Sequence, residues 1–376
     1  MNDGKNSWRQ SGAGRPSGVG ERWVVTMHKK KVKIYGTLGP ACQDPEILKQ
    51  MFQEGMDGIR LNLSHTTLDE AADLIGACHS AASACGIRPE LLIDMQGPEL
   101  RIGKLREPIQ LKVGDVVGPG EIPFPEAVIE ALASGQEILL DDGKILLKVE
   151  ETEHGRTEHG AAVMQRLDMQ KLAMQRLALR CRVIRGGLLQ GSKSVALPGC
   201  QIQTPAMTDR DRAQIRKAKE FGVTAVMQPF VRSKKDLEEV RGALDQAGGE
   251  DIRLLAKIEN MTGVEKLREL IPCCDEIVIA RGDLGNAMEL WELPGVQKRI
   301  AAICRDAGRD FMVVTQMLES MTHRQVPSRA EVSDIFNAVL DGAASVMVTG
   351  ETAAGEYPVS VIRYLVKTVR EAEEFK

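Results

Sequence analysis

The stretch EIVIARGDLGNA, residues 276–287, carries an apolar run straight into Arg281, Gly282 and Asp283. A carboxylate set between glycine and leucine where a buried strand stops is placed to hold a cation, with neighbouring backbone N–H groups positioned to receive an anionic oxygen. Three further segments carry polar side chains into the same kind of position. Alternate residues of a strand share a face, so Arg60, Asn62 and Ser64 of IRLNLSH lie on one side, Lys257 and Glu259 of LAKIEN lie on one side, and LLID ends in Asp94. Gathering Arg60, Asp94, Arg101, Lys257, Glu259 and Asp283 costs desolvation that a metal with an anionic substrate would offset. Hard oxygen ligands with few carboxylates suit Mg²⁺ or Mn²⁺, completed by substrate oxygens and water. Glu259 and Asp283 are the candidate ligands. For any one strand the alternative is an internal salt-bridge network.

The elements that must position these groups follow from the hydrophobic pattern. Strand-like runs occur at residues 32–38, 58–64, 90–95, 225–231, 253–259, 276–281, 311–316 and 345–350, separated by amphipathic stretches such as DPEILKQMFQEG, DRDRAQIRKAKEFG and SRAEVSDIFNAVLDG. Eight alternating units predict a closed (β/α)8 barrel, an α/β fold whose chemistry sits at the C-terminal ends of the strands. A doubly wound open sheet is the alternative. After the third strand the pattern becomes β-rich: IQLKVGDVV alternates, and ILLDDGKILLKV is two apolar runs around Asp-Asp-Gly, a hairpin signal. Residues 104–195 are therefore expected to form an inserted β-rich domain, with the barrel built from 27–103 and 196–376. Within the insert, TEHG recurs after five residues and Met-Gln recurs at Met164, Met169 and Met174. Period five fits neither helix nor strand, which points to a surface tandem duplication rather than a binding loop.

Composition excludes several classes of function. The formal net charge of -4 gives no general attraction to nucleic acid or to an anionic membrane surface. The eight cysteines include no Cys-x-x-Cys pair, which argues against a zinc site or a disulfide framework and fits a reducing cytoplasm. No apolar run reaches membrane-spanning length, and the N-terminus lacks a secretory h-region. Residues 1–26 are rich in Gly, Ser and Arg and are expected to be disordered, with Met27 as an alternative start.

From about Lys33 to Glu374 the sequence resembles the pyruvate kinase family, through KIYGTLGPA, RLNLSH, DMQGPELRIG, LLAKIEN, VIARGDLG, TQMLESM, PSRAE, NAVLDGA and TGETAAGEYP. The resemblance implies a barrel with a lid domain after strand three. It implies phosphoryl transfer from phosphoenolpyruvate to ADP, giving pyruvate and ATP, with Mg²⁺ (or Mn²⁺) and K⁺. Carried over motif by motif, Glu259 and Asp283 would bind Mg²⁺, and Lys257 would lie against the phosphoryl group in flight. Gly282 and Asp283 would adjoin the substrate. Arg60 would face the phosphates, with Arg101, His65 and the lid residue Lys193 on the nucleotide side. Asn62, Ser64, Asp94 and the Met95 carbonyl would form the K⁺ site, and Glu99 is the residue type that accompanies K⁺ dependence. Thr315 would sit beside the enolate carbon, with Thr349 and Glu351 in a network able to relay its proton.

Some positions depart from the family pattern. Met95-Gln96 replaces Thr-Lys, Ala196 replaces the Asn before LPG, Thr66 replaces a glycine, and Thr349 replaces a serine. The chain stops at Lys376, after the expected eighth barrel helix, so the resemblance implies a short form without the C-terminal effector domain, unresponsive to sugar-phosphate effectors. A homodimer through the barrel, with Arg329 near the interface, is expected. Two other readings are a metal-dependent 2-oxo acid aldolase or lyase on the same barrel, and a non-catalytic phosphoenolpyruvate-binding paralogue. Retained Lys193 and the insert argue against the first, and intact Lys257 against the second.

Overall fold

Eight short β-branched and aliphatic runs close into one parallel barrel, each strand hydrogen-bonded to two neighbours. The computed structural model describes residues 31–141, 143–150, 179–200, 202 and 204–376. The barrel strands are β1 (Lys33–Thr37), β2 (Gly58–Asn62), β3 (Glu90–Asp94), β11 (Ala225–Gln228), β12 (Arg253–Ile258), β13 (Glu276–Ala280), β14 (Asp310–Val314) and β15 (Ser345–Met347). All eight pairings between them are parallel. The barrel expectation holds, and the open-sheet alternative does not.

Period-two alternation explains why the barrel is filled rather than hollow. Tyr35, Leu92, Met227, Leu255, Val278, Met312 and Met347 form one buried cluster inside the barrel. Their chain neighbours Ile34, Ile93, Val226, Leu254, Ile277 and Val313 belong to a second, larger cluster under the surrounding helices. The N-terminal end of the barrel is closed by charge: Glu90 takes Lys33, Arg253 and the Tyr35 hydroxyl, while Glu276 takes Arg253 at 3.2 Å and the Ser345 hydroxyl at 2.5 Å. Such closure leaves the opposite, C-terminal mouth for chemistry.

Between β3 and β11 the chain builds β4 (Ile109–Leu111), β5 (Val116–Val117), β6 (Glu137–Leu140), β7 (Ile145–Val149), β8 (Cys181–Arg185), β9 (Gly187–Leu189) and β10 (Val195–Ala196). Five of these form a sheet in the order β10-β6-β7-β8-β5, and β4 pairs with β9. Ile138, Leu140, Ile145, Leu147, Cys181 and Val183 give this part its own core. The Asp-Asp-Gly hairpin signal is met by the antiparallel β6–β7 pair. The pentad repeat at 151–178 and the N-terminal extension lie outside the described residues.

Most barrel strands stop short of the apolar runs that announced them. Arg281 opens the helix Arg281–Asn286 instead of closing β13, and DRDRAQIRKAKEFG is α-helical only over Asp209–Ile215. No helix among the described residues is long and apolar enough to cross a membrane.

Candidate active site

Parallel register sets the polar side chains at a common level. Asn62 pairs with Asp94 across β2 and β3, and Lys257 stands one residue before the end of β12. The Lys257 ammonium lies 3.1 Å from Asp94 Oδ2 and 2.8 Å from Glu259 Oε1. Arg60 donates to the same Asp94 oxygen from Nε at 2.9 Å and Nη2 at 2.6 Å. Asp94 and Glu259 side chains are only 3% and 1% exposed, and Lys257 13%. Burial alone would push the lysine pKa down, but the charges of Asp94 and Glu259 outweigh it and hold the ammonium above the ordinary lysine value. Burial would likewise raise the Asp94 carboxyl; Lys257 and Arg60 outweigh that and hold it below the usual carboxylate range. All the cation contacts of Asp94 fall on Oδ2, and its buried Oδ1 has no hydrogen-bond partner.

Glu259 Oε2 accepts the Phe230 N–H at 2.8 Å, which aims the carboxylate across the mouth. There Glu259, Asp283, Glu99, Asn286 and Ala196 line a cavity of about 410 Å³ between the barrel and the β-rich insert. Among the described residues no group of three or more His, Cys, Asp or Glu side chains is arranged to hold a metal on its own. A hard cation here would draw on one or two carboxylates and complete its shell elsewhere. Glu99 also bonds Arg101, at 3.0 Å and 2.9 Å, and burial, only partly offset by that arginine, raises its pKa.

Beyond β14 the backbone turns sharply. Thr315 has φ +79° and Gln316 φ +55°, left-handed values that cost non-glycine residues about 1–3 kcal/mol each. A Cβ on Gly282 would come within 3.0 Å of Thr315 Cγ2, so glycine there lets the threonine stand against the start of the helix Arg281–Asn286.

A second cavity, of about 1170 Å³, opens beside β1 and β2 and is lined by Arg60, Asn62, His65, Thr349 and Gly39. Burial, together with the charges of Arg101, Arg60 and Arg210, holds the His65 pKa below the ordinary histidine value. Asn62 Oδ1 accepts the Ser64 N–H at 3.1 Å, and the Met95 N–H donates to Met227. Glu351 accepts the Leu318 N–H on one oxygen and, on the other, the N–H and hydroxyl of Thr349. Those bonds tie Glu351 to Thr349 and to the Leu318 backbone. Lys193 lines neither cavity; its ammonium rests 2.8 Å from Asp141 on the insert, and Arg101 donates to the Ser192 carbonyl at 2.9 Å.

Four residues to which the sequence reading gave no role shape this mouth. Asp211 accepts the N–H groups of Gln96, Gly97 and Thr208 and the Thr208 hydroxyl, at 2.7–3.1 Å, pinning the loop that leads from β3 into the insert. Gly97, at φ +58°, has no room for a Cβ, which would lie 2.3 Å from Pro229. Asn286 meets the insert, because a Cβ on Gly143 would fall 2.6 Å from its Oδ1. Arg281, 8% exposed, sits behind the Thr315 turn. Only Asp211 had a signal in the sequence: Thr208 and Asp211 are spaced as a capping box, which the structure contains.

Comparison with known proteins gives one consistent result. The family described as "Pyruvate kinase, barrel domain" matches residues 29–362. The pyruvate kinase of Chlamydia pneumoniae is 33% identical over 355 residues, covering 92% of this chain and 69% of its own length. That of Geobacillus stearothermophilus is 34% identical over 358 residues, covering 92% and 57%. That of Methylorubrum extorquens AM1 is 35% identical over 356 residues, covering 92% and 69%. The aligned region thus spans between 57% and 69% of the length of these relatives.

Proposed function

The chain belongs to the pyruvate kinase family, and from that premise we propose that it transfers the phosphoryl group of phosphoenolpyruvate to ADP, giving pyruvate and ATP. The observation that carries the reading is the Lys257 side chain, 13% exposed, clamped between Asp94 and Glu259 at the barrel mouth, beside the cavity that Glu259 and Asp283 line. Phosphoryl transfer asks a protein for positioning and for positive charge around the moving group more than for covalent chemistry. Lys257 supplies a fixed ammonium in a water-poor site, and Arg60 a second cation on the face toward the other cavity.

Glu259 and Asp283 would hold Mg²⁺, and the fit is in the donor set: two carboxylates on one cavity wall with little else, which suits an ion that keeps water and substrate oxygens as ligands. When bound, such an ion neutralises charge on the phosphoryl group and on the enolate oxygen. The partnerless Asp94 Oδ1, next to Asn62 on the paired strand, fits K⁺, with Ser64 and the Met95 carbonyl completing the set and Glu99 at the cavity edge. Gly282 and Asp283 would receive an anionic oxygen of phosphoenolpyruvate. Thr315, close against Gly282, would face the enolate carbon and control its protonation, with Thr349 and Glu351 behind it. Arg60 and His65 would meet the ADP phosphates in the second cavity, with Arg101 assisting on the nucleotide side. Residues 104–195 would act as the lid, bringing Lys193 to the nucleotide and excluding water as a competing acceptor.

The test is pyruvate formation from phosphoenolpyruvate and ADP with Mg²⁺, with and without K⁺. K⁺-stimulated turnover is the expected result. Absence of turnover with ADP or GDP, alongside Mg²⁺-dependent binding of phosphoenolpyruvate, would remove the kinase reading.

A further inference from the structure

We propose that Arg281 is a positioning residue that holds Thr315 in its left-handed turn and so sets the geometry of enolate protonation. The inference rests on the reading that Thr315 faces the enolate carbon. Arg281 donates to the Thr315 carbonyl from Nε at 3.1 Å and Nη2 at 2.8 Å, and to the Gln316 carbonyl from Nη2 at 3.2 Å. Its remaining nitrogen, Nη1, reaches Asp334 at 2.6 Å and Gln297 Oε1 at 3.4 Å. One planar guanidinium therefore brackets two consecutive carbonyls whose residues both have positive φ, and is itself anchored to the helices Arg329–Leu340 and Leu293–Asp306.

Neither Thr315 nor Gln316 is glycine, so the turn persists only where its surroundings over-determine it. No other side chain contacts both carbonyls among the hydrogen bonds of the described residues. Arg281 also immediately precedes Gly282, whose missing Cβ leaves the space that the Thr315 methyl occupies. The same segment thus fixes the threonine from its backbone and from its side chain. Releasing the carbonyls lets φ relax, which swings the Thr315 hydroxyl away from the carbon that must gain a proton as the enolate double bond gives its electron pair to the new C–H bond.

Four variants test this: Arg281→Lys, Arg281→Met, Thr315→Val and the double variant Arg281→Met with Gln316→Gly. For each, kcat and KM for phosphoenolpyruvate, exchange of the pyruvate methyl protons in D2O with Mg²⁺ and ATP, and thermal unfolding are measured. A small displacement of a reacting group costs about 10- to 100-fold in rate, so both Arg281 variants should lose that much in kcat and in exchange, with KM changed by less than threefold. Arg281→Lys keeps a cation beside Asp334 but cannot bracket two carbonyls, so it carries the test if Arg281→Met does not fold. Gln316→Gly removes the steric penalty at φ +55° and should restore at least threefold of the lost exchange rate. Folded Arg281 variants with exchange within twofold of the parent, or no recovery in the double variant, would overturn the proposal. If Thr315→Val leaves exchange unchanged, it is the assignment of Thr315 that fails. A slow Thr315→Val beside fast Arg281 variants removes the positioning role alone.

Discussion

Replacing Lys257 with methionine tests the electrostatics of the site and its chemistry together. Two cations, Lys257 and Arg60, face two carboxylates, Asp94 and Glu259, so the cluster is formally neutral; removing the lysine leaves 1 − 2 = -1 in a buried place. Breaking a buried pair costs about 3–5 kcal/mol. Asp94 keeps two bonds from Arg60 and Glu259 keeps the Phe230 N–H, which puts the loss at the lower end, about 3 kcal/mol, and the fall in Tm near 6 °C at about 2 °C per kcal/mol for a large domain. In the parent, the depressed Asp94 pKa contributes stability that is present above the unfolded carboxylate value and is lost as pH falls through the lower folded value. In the variant the sign reverses: the excess negative charge raises the folded pKa, so stability is lost as pH rises through it and returns on acidification. The Tm gap between parent and variant should therefore be wider at pH 8 than at pH 5. Loss of one preorganised cation at the moving charge should lower kcat about 10²–10³-fold. Pyruvate formation and thermal unfolding at the two pH values read both effects. A variant within tenfold of the parent in kcat, or a Tm gap indifferent to pH, would refute the reasoning.

Three further substitutions probe how the mouth is assembled. Asp211→Asn keeps the shape but replaces one acceptor oxygen with a donor that opposes backbone N–H groups, so with hydrogen bonds to a charged group worth about 1.5–3 kcal/mol it should lower unfolding free energy by about 2 kcal/mol. Urea titration reads this, and a change under 0.5 kcal/mol would mean that Asp211 does not hold the loop. Gly143→Ala adds a Cβ at φ +79° against Asn286, so it should destabilise by about 1 kcal/mol or more. Asn286→Ala should relieve part of that, giving a double-mutant coupling of at least about 0.5 kcal/mol; strict additivity would mean that the two residues do not meet in solution.

The barrel was legible because burial on two sides leaves a mark at every position: Ile34 and Tyr35, or Leu254 and Leu255, are both apolar, yet one faces the helices and the next faces the barrel interior. The candidate site was legible where that rule breaks. Arg60, Asp94, Lys257 and Glu259 are charged residues at positions where the fold demands burial, and the structure brings these four into direct contact. Strand ends were less visible, since hydrophobicity continues beyond the strands into Leu63, Met95, Val231 and Val348, which are buried as well.

Asp211 and Arg281 escaped for a different reason. The capping-box spacing of Thr208 and Asp211 shows a helix start but not the bonds that bear on the mouth: those go to main-chain atoms of Gln96, Gly97, Thr315 and Gln316, more than 30 residues away, and a main-chain atom carries no side-chain signature to match against a carboxylate or a guanidinium. The left-handed turn itself was equally silent. A glycine would have announced it, but Thr315 and Gln316 occupy it at a cost of about 1–3 kcal/mol each. That cost is the argument for function. A glycine would make the turn without strain, but it would remove the hydroxyl that the proposed function sets at the enolate carbon, and on that reading the threonine needs an outside group to hold its backbone. The buried guanidinium whose Nε and Nη2 reach the two carbonyls is that group.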